Sequence, residues 1–263
     1  MTPATTRAFR RLCLASAAML IAACSAPTPD PNASENAAAP ESAVTWEEDE
    51  RSFADGGAQG EAGVQASDDT PGDFDYFLLA LSWSPTYCAA PAAAERDPLQ
   101  CAAERPFAFI VHGLWPQKER GWPADCESPE PDDVPAALVD GMLDLMPSPR
   151  LVEHQWDKHG TCVGGPQQAY FATVRDFYER VSIPTEFTRL ETRRTVTGTE
   201  VEDAFVAANR GLDPDEIAVT CGRGRLREVR ICFTREGDFR QCGADVRDTC
   251  GEQEVTMLPV RGG

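Results

Sequence analysis

Histidine and lysine are scarce in this chain of 263 residues, with 3 histidines and, among 24 lysines and arginines, lysine only at Lys118 and Lys158. A lysine-rich surface that clamps nucleic acid through its phosphates is thereby excluded, and the formal net charge of -19 excludes it again. No Cys-x-x-Cys pair occurs, so the common spacing of a structural zinc site is missing. No apolar run beyond the N-terminus approaches the ~20 residues of a spanning helix, which excludes an internal membrane span. Internal repeats are absent too.

What is present begins with a charged-then-apolar leader. Arg7, Arg10 and Arg11 precede the run LCLASAAMLIAA at 12–23, the order of a secretory signal. Ile21-Ala22-Ala23-Cys24 resembles a bacterial lipobox, which implies lipid on Cys24. Residues 24–73 are rich in Ala, Pro, Gly, Ser and acids, with Arg51 as their one base, and bury too little to repay ordering. They are expected to form a disordered acidic tether of roughly 40 Å end to end, from about 5–6 Å times the square root of its length. Residues 74–263 remain as one domain with a sizeable core. The expected product is exported from a bacterial cytoplasm and anchored as a lipoprotein facing the periplasm or exterior, with a soluble form as the alternative. With Cys13 lost in the signal and Cys24 lipidated, Cys88, Cys101, Cys126, Cys162, Cys221, Cys232, Cys242 and Cys250 remain, an even set in an oxidising compartment, and four disulfides are expected.

Periodicity predicts a buried strand over 74–82, ended by Pro85, and a second over 106–112, delivering His112 to a strand end with a turn at Gly113. Helices are predicted over 134–146, over 151–159 ended by Gly160, and over 169–181. A further helix is opened by a Thr199/Glu202 capping box and closed at Gly211. Strands follow near 216–221 and 227–233. Helices grouped between strands indicate an α+β class.

All three histidines, His112, His154 and His159, and both lysines fall within 48 residues of one another. On a helix, His154, Gln155, Lys158 and His159 form one polar stripe, and a strand-borne His112 opposite it sets two imidazoles about a phosphate with an ammonium at its oxygens. That arrangement suits cleavage of RNA by its own 2'-hydroxyl. One imidazole removes the proton, the other protonates the departing 5'-oxygen, and cations stabilise the phosphorane-like transition state. With a reference value of ~6.5, imidazole supplies both forms at mildly acidic pH. No metal or other cofactor is needed. A three-histidine zinc site is the competing chemistry, but His154 and His159 are five apart and Lys158 would repel the ion.

Residues 109–117 (FIVHGLWPQ) and 153–162 (EHQWDKHGTC) closely resemble the two active-site segments of the ribonuclease T2 family, with further matches at 75–88 and 226–232 (LREVRIC). The resemblance implies an α+β fold around an antiparallel sheet and cleavage of single-stranded RNA through 2',3'-cyclic phosphate ends. It makes His159 the general base, His112 the general acid, Lys158 and His154 the phosphate contacts, and Trp115 a base-stacking aromatic with core packing as its alternative. It also implies the pairs Cys126–Cys162, Cys221–Cys250 and Cys232–Cys242, leaving Cys88 with Cys101.

Two departures qualify it. Gln155 stands where the family usually has Glu, which implies weakened but surviving activity. Gln117 stands where several members have a base-contacting Asp, so broad base specificity is expected. An acidic optimum follows from protonating carboxylates and histidines that face RNA. No obligate protein partner is expected and the chain is read as a monomer. The alternative function is a catalytically impaired protein of the same fold that binds RNA or a partner.

Overall fold

The computed structural model describes residues 70–102 and 104–260; the signal, Cys24 and the tether up to residue 69 lie outside the described residues. Residues 70–73, assigned to the tether by composition, form a turn instead. It docks on the domain through a bond from Gly72 N to the Cys162 carbonyl at 2.8 Å.

Strand β1 (Tyr76–Trp83) is buried at every position. Apart from Ser82 it carries apolar and aromatic side chains, because both its faces are covered. Phe77, Leu79, Leu81 and Trp83 enter the main core, while Tyr76, Leu78 and Ala80 enter a smaller cluster with Trp115 and Cys232. Pro85 does not simply stop this strand; it sits in the first turn of helix α1 (Ser84–Tyr87), where its missing N–H costs nothing.

Strand β2 (Phe109–Gln117) pairs antiparallel with β1 and runs well past the strand end expected at His112. Gly113 opposes Ala80 and Val111 opposes Leu81, so His112 is the extra residue of a β-bulge and no turn forms at Gly113. Pro116 is tolerated because β2 is an edge strand. The expected 134–146 helix is shorter, α2 (Ala136–Asp140), because the chain breaks into turns after Gly141. The Leu145 carbonyl there accepts from Val111 N at 2.9 Å, next to the bulge.

Helix α3 (Pro149–Gln155) is N-capped by Ser148, whose Oγ accepts from Leu151 N at 3.3 Å. It does not end at Gly160. It widens into a π turn over Trp156–Gly160 and continues through Thr161–Val163. Gly160 is needed for space rather than as a stop, since a Cβ there would lie 2.4 Å from the Trp156 ring and 2.9 Å from Tyr170. Helix α4 (Gln167–Glu179) buries Tyr170, Phe171, Val174 and Phe177 on the sheet, and the Tyr170 hydroxyl donates to the Leu114 carbonyl at 3.1 Å. Fully burying each such side chain stabilises by about 1.5–3 kcal/mol.

Helix α5 (Gly198–Ala208) opens with the capping box at Thr197 and Glu200, two residues before the expected frame. Two T-x-x-E frames overlap here, and packing selects the first: Gly198 N bonds the Gly251 carbonyl at 2.8 Å and holds that residue against the C-terminal tail. Asn209 closes the helix in place of Gly211, its amide donating to the Phe205 and Ser182 carbonyls at 2.8 and 2.9 Å.

Strands β3 (Arg194–Val196), β4 (Ile217–Gly222), β5 (Arg225–Phe233) and β6 (Val255–Met257) complete one sheet in the order β2-β1-β5-β6-β3, with β4 also on β5. All pairings are antiparallel except the short β5–β6 contact. The fold is α+β, with helices against the sheet. Four disulfides staple it, Cys88–Cys101, Cys126–Cys162, Cys221–Cys250 and Cys232–Cys242. Such density belongs to a protein folded in an oxidising compartment. Among the described residues no helix is long and apolar enough to cross a membrane.

Candidate active site

The β2 bulge and the π turn meet around the indole of Trp115. His112 is fully buried and its ring meets that indole edge-on at a centroid distance of 5.2 Å, while His159, 3% exposed, stacks on it at 5.3 Å and 28°. Trp115 Nε1 donates to Gln155 Oε1 at 2.7 Å. One indole thus contacts both imidazoles and Gln155. Gly113 makes this approach possible, because a Cβ there would sit 1.9 Å from Gln155 Oε1 and 2.4 Å from Trp115 Nε1.

The stripe expected on the helix that runs through the π turn is divided: Gln155 and His159, four apart, are buried, while His154 and Lys158, four apart, are half-buried at the rim. The disulfide Cys126–Cys162 and a bond from Asp125 N to the Lys158 carbonyl at 2.9 Å tie the loop after β2 to this turn.

The electrostatics separate the two histidines. Burial, reinforced by the charges of Lys158, His154 and His112, holds the His159 imidazole well below its usual range, so it stays neutral in mild acid. His112 Nδ1 lies 2.5 Å from Glu228 Oε1. Burial pushes the Glu228 carboxyl up, but the His112 and Arg230 charges, the His112 hydrogen bond and Arg227 outweigh it and hold the group well below the carboxylate range. Ser82 Oγ donates to the same Oε1 at 2.9 Å, and Arg230 Nη2 and Nε donate to Oε2 at 2.9 and 3.1 Å. The Arg230 guanidinium also lies 5.2 Å from the Trp115 ring centre.

Glu228, Arg230 and Ser82 were not singled out in the sequence. Their signal was there in part, as an acid and a base two apart on a strand whose alternate positions, Leu226 aside, include the core residues Val229 and Ile231. For Trp115 the burial agrees with the core-packing alternative: base stacking needs an open ring face, and this indole is 6% exposed and carries His159. Gln117 lies at the end of β2, also 6% exposed, opposite Tyr76 and accepting from Asp75 N at 2.7 Å. An open aromatic is found further along the loop at Trp122, 40% exposed. Beside the turn a cavity of about 420 Å³ is lined by Asp125, Glu127, Ser128, Asp132, Asp157 and Thr161. Burial and the neighbouring Asp157 raise the Asp125 carboxyl, with His154 opposing them.

Two positioned imidazoles beside an ammonium can move protons on either side of a phosphodiester. Comparison with known proteins agrees with that chemistry. The model of the ribonuclease T2 family matches residues 74–242. A ribonuclease of Aeromonas hydrophila is 34% identical over 218 residues, covering 75% of this chain and 91% of that one. Ribonuclease S-3 of Petunia hybrida is 27% identical over 213 residues, covering 72% and 90%. Among solved structures, an RNase-related protein from Calystegia sepium superposes with a TM-score of 0.57 at 24% identity, covering 72% of this chain and 98% of that one. RNase NT in complex with 5'-AMP gives 0.55 at 23%, covering 71% and 99%. At these identities the solved structures speak to the fold, and the family match and the Aeromonas relative to descent: this chain belongs to the ribonuclease T2 family of endoribonucleases.

Proposed function

We propose that the chain cleaves single-stranded RNA by transphosphorylation without a metal. The neutral His159 accepts the 2'-hydroxyl proton, His112 donates one to the departing 5'-oxygen, and Lys158 and His154 hold the phosphate as charge builds on it. The ends left are 2',3'-cyclic phosphates, hydrolysed more slowly to 3'-phosphates. The observation that carries the reading is the placement of both imidazoles against one buried indole, at 5.2 and 5.3 Å, with His159 kept neutral by burial. Each proton transfer is worth about 10²–10⁴ in rate.

Gln155 keeps the Trp115 hydrogen bond but brings no negative charge, so the rate is reduced and not abolished. The base stacks on the open ring of Trp122, and with no carboxylate at Gln117 specificity is broad. The acidic cavity beside the π turn repels RNA near neutrality, which gives an acidic optimum. Upstream, residues 1–23 export the chain, Cys24 carries lipid, and the tether holds a monomeric domain clear of the membrane.

The test is cleavage of a single-stranded RNA oligomer in EDTA at pH 5 and pH 8, with His112→Ala and His159→Ala beside the wild type and the ends identified. Cyclic phosphate ends, lost in both variants and formed faster at pH 5, are expected. No cleavage by correctly disulfide-bonded protein, or a profile flat through pH 8, refutes the reading.

A further inference from the structure

We propose that Glu228 is a positioning residue for His112: its carboxylate holds the Nδ1–H and fixes the ring in one orientation, so that the imidazolium presents its Nε2 proton to the leaving 5'-oxygen. The proposal rests on the ribonuclease reading above, which assigns His112 as the general acid.

The argument starts from the backbone. His112 is the residue without a register partner in the β1–β2 ladder, and a bulge turns the side chain of its extra residue away from the regular pleat. Ser82 and Glu228 oppose each other across β1 and β5, on the face that also carries Ala80, Arg230 and Cys232. The bulge brings His112 Nδ1 to 2.5 Å from Glu228 Oε1. An ionised carboxylate only accepts, so Nδ1 donates, and the remaining nitrogen, Nε2, is the one available for chemistry.

The carboxylate is itself held from both sides. Ser82 Oγ shares Oε1 with His112, and the Arg230 guanidinium occupies Oε2 with two bonds. A group kept only to neutralise Arg230 would use Oε2 alone. Here Oε1 is committed to the imidazole, and both partners are buried at 0% and 5% side-chain exposure. In so dry a setting the carboxylate keeps its charge and the hydrogen bond to it is strong.

The step balances. The 2'-oxygen bonds to phosphorus as the P–O5' bond breaks, the 2'-hydroxyl proton passes to His159, and the Nε2 proton of His112 passes to O5'. His112 is left neutral, with its Nδ1–H still hydrogen-bonded to Glu228, and the carboxylate charge never changes. The role is to fix which nitrogen carries the transferable proton, with no proton passing to Glu228.

The test separates this role from a structural one by the leaving group. A dinucleoside phosphate needs a proton on O5', whereas a nucleoside 3'-(4-nitrophenyl phosphate) departs without one. Glu228→Gln is expected to lower kcat on the dinucleotide by about 10- to 100-fold, the scale of a misplaced general acid, with KM nearly unchanged and turnover of the nitrophenyl ester close to wild type. In a His112→Ala background it should add nothing. Nitrogen-15 spectra of the histidine should show a single Nδ1–H tautomer in the wild type and a mixture in Glu228→Gln. Ser82→Ala, which removes one bond from the same oxygen, should give a smaller loss of the same selectivity and serves if Glu228→Gln folds poorly. If His112→Ala distinguishes the two esters and neither Glu228→Gln nor Ser82→Ala does, the proposal alone falls. If His112→Ala loses both esters equally, the general-acid assignment falls and takes the proposal with it.

Discussion

Gly113→Ala is the sharpest probe of how the site is built. The added methyl would stand 1.9 Å from Gln155 Oε1, 2.7 Å from Gln155 Cδ and 2.4 Å from Trp115 Nε1. All three atoms belong to buried side chains, and the 2.7 Å bond between them lies directly in the way. Separating Trp115 from Gln155 strands a buried indole N–H and an amide oxygen, at about 1–3 kcal/mol. Forcing the methyl into a filled space adds about 1–3 kcal/mol more. The expected destabilisation is therefore about 2–6 kcal/mol, which lowers Tm by roughly 4–24 °C for a domain of this size. Because His159 stacks on the same indole, its displacement carries into activity, and kcat should fall by at least about tenfold, the rate equivalent of 1.4 kcal/mol. The assay is thermal unfolding followed by near-ultraviolet circular dichroism, with initial rates on an RNA oligomer at pH 5. Gly141→Ala is the control, since its Cβ meets nothing closer than 3.3 Å, and it should stay within about 1 kcal/mol of wild type. Equal Tm values for Gly113→Ala and Gly141→Ala, with unchanged kcat, would refute the account of Gly113 as the space that lets Trp115 and Gln155 meet.

Four more predictions concern separate parts of the molecule. The His159 imidazole is depressed by burial, so the acid limb of kcat/KM should lie below pH 6.5; by the same linkage, stability present above 6.5 is lost as pH falls toward the folded value, and urea unfolding of His159→Gln should show less of that loss. Burial, with Asp248 and Asp203, pushes Glu202 up to about 7, so its contribution is lost as pH rises from 4.5 through 7, and Glu202→Gln should raise Tm at pH 8 while leaving it nearly unchanged at pH 4.5. Gln155→Glu keeps an acceptor for Trp115 Nε1 and restores a negative charge beside the imidazoles, so kcat at pH 5 should rise several-fold, while Gln155→Leu should lower both kcat and Tm. Trp122→Ala removes an exposed ring and should raise KM for RNA roughly 5- to 100-fold, from about 1–3 kcal/mol of stacking, with little change in Tm.

Much of the fold was legible because it depends on local periodicity. β1 reads as an apolar run broken only at Ser82 since both its faces are covered, and α4 presents an amphipathic face that needs no partner to be recognised. Boundaries were less legible wherever two local signals competed. The T-x-x-E frames at Thr197 and Thr199 are equivalent in sequence, and the contact of Gly198 with the tail chooses between them. Gly160 resembles a helix stop, yet its missing side chain makes room for Trp156 and Tyr170 inside a continuing helix. β3 and β6, three residues each, carry no period long enough to detect.

By itself the sequence determined the family, through its two motifs, and it singled out the groups proposed to carry the chemistry, because three histidines gathered around Lys158 in one stretch of an arginine-rich chain leave few alternatives. The disulfide partners came with that resemblance, since the spacing of eight cysteines does not select a pairing. Only the tertiary structure decided how the histidines differ. His112 owes its orientation to a bulge whose existence depends on the register of β2 against β1, and its carboxylate partner comes from β5, 116 residues away. His159 owes its neutrality to burial against an indole that arrives from another strand. Proton affinity and tautomer are properties of surroundings, and these surroundings are assembled from segments that share no local sequence.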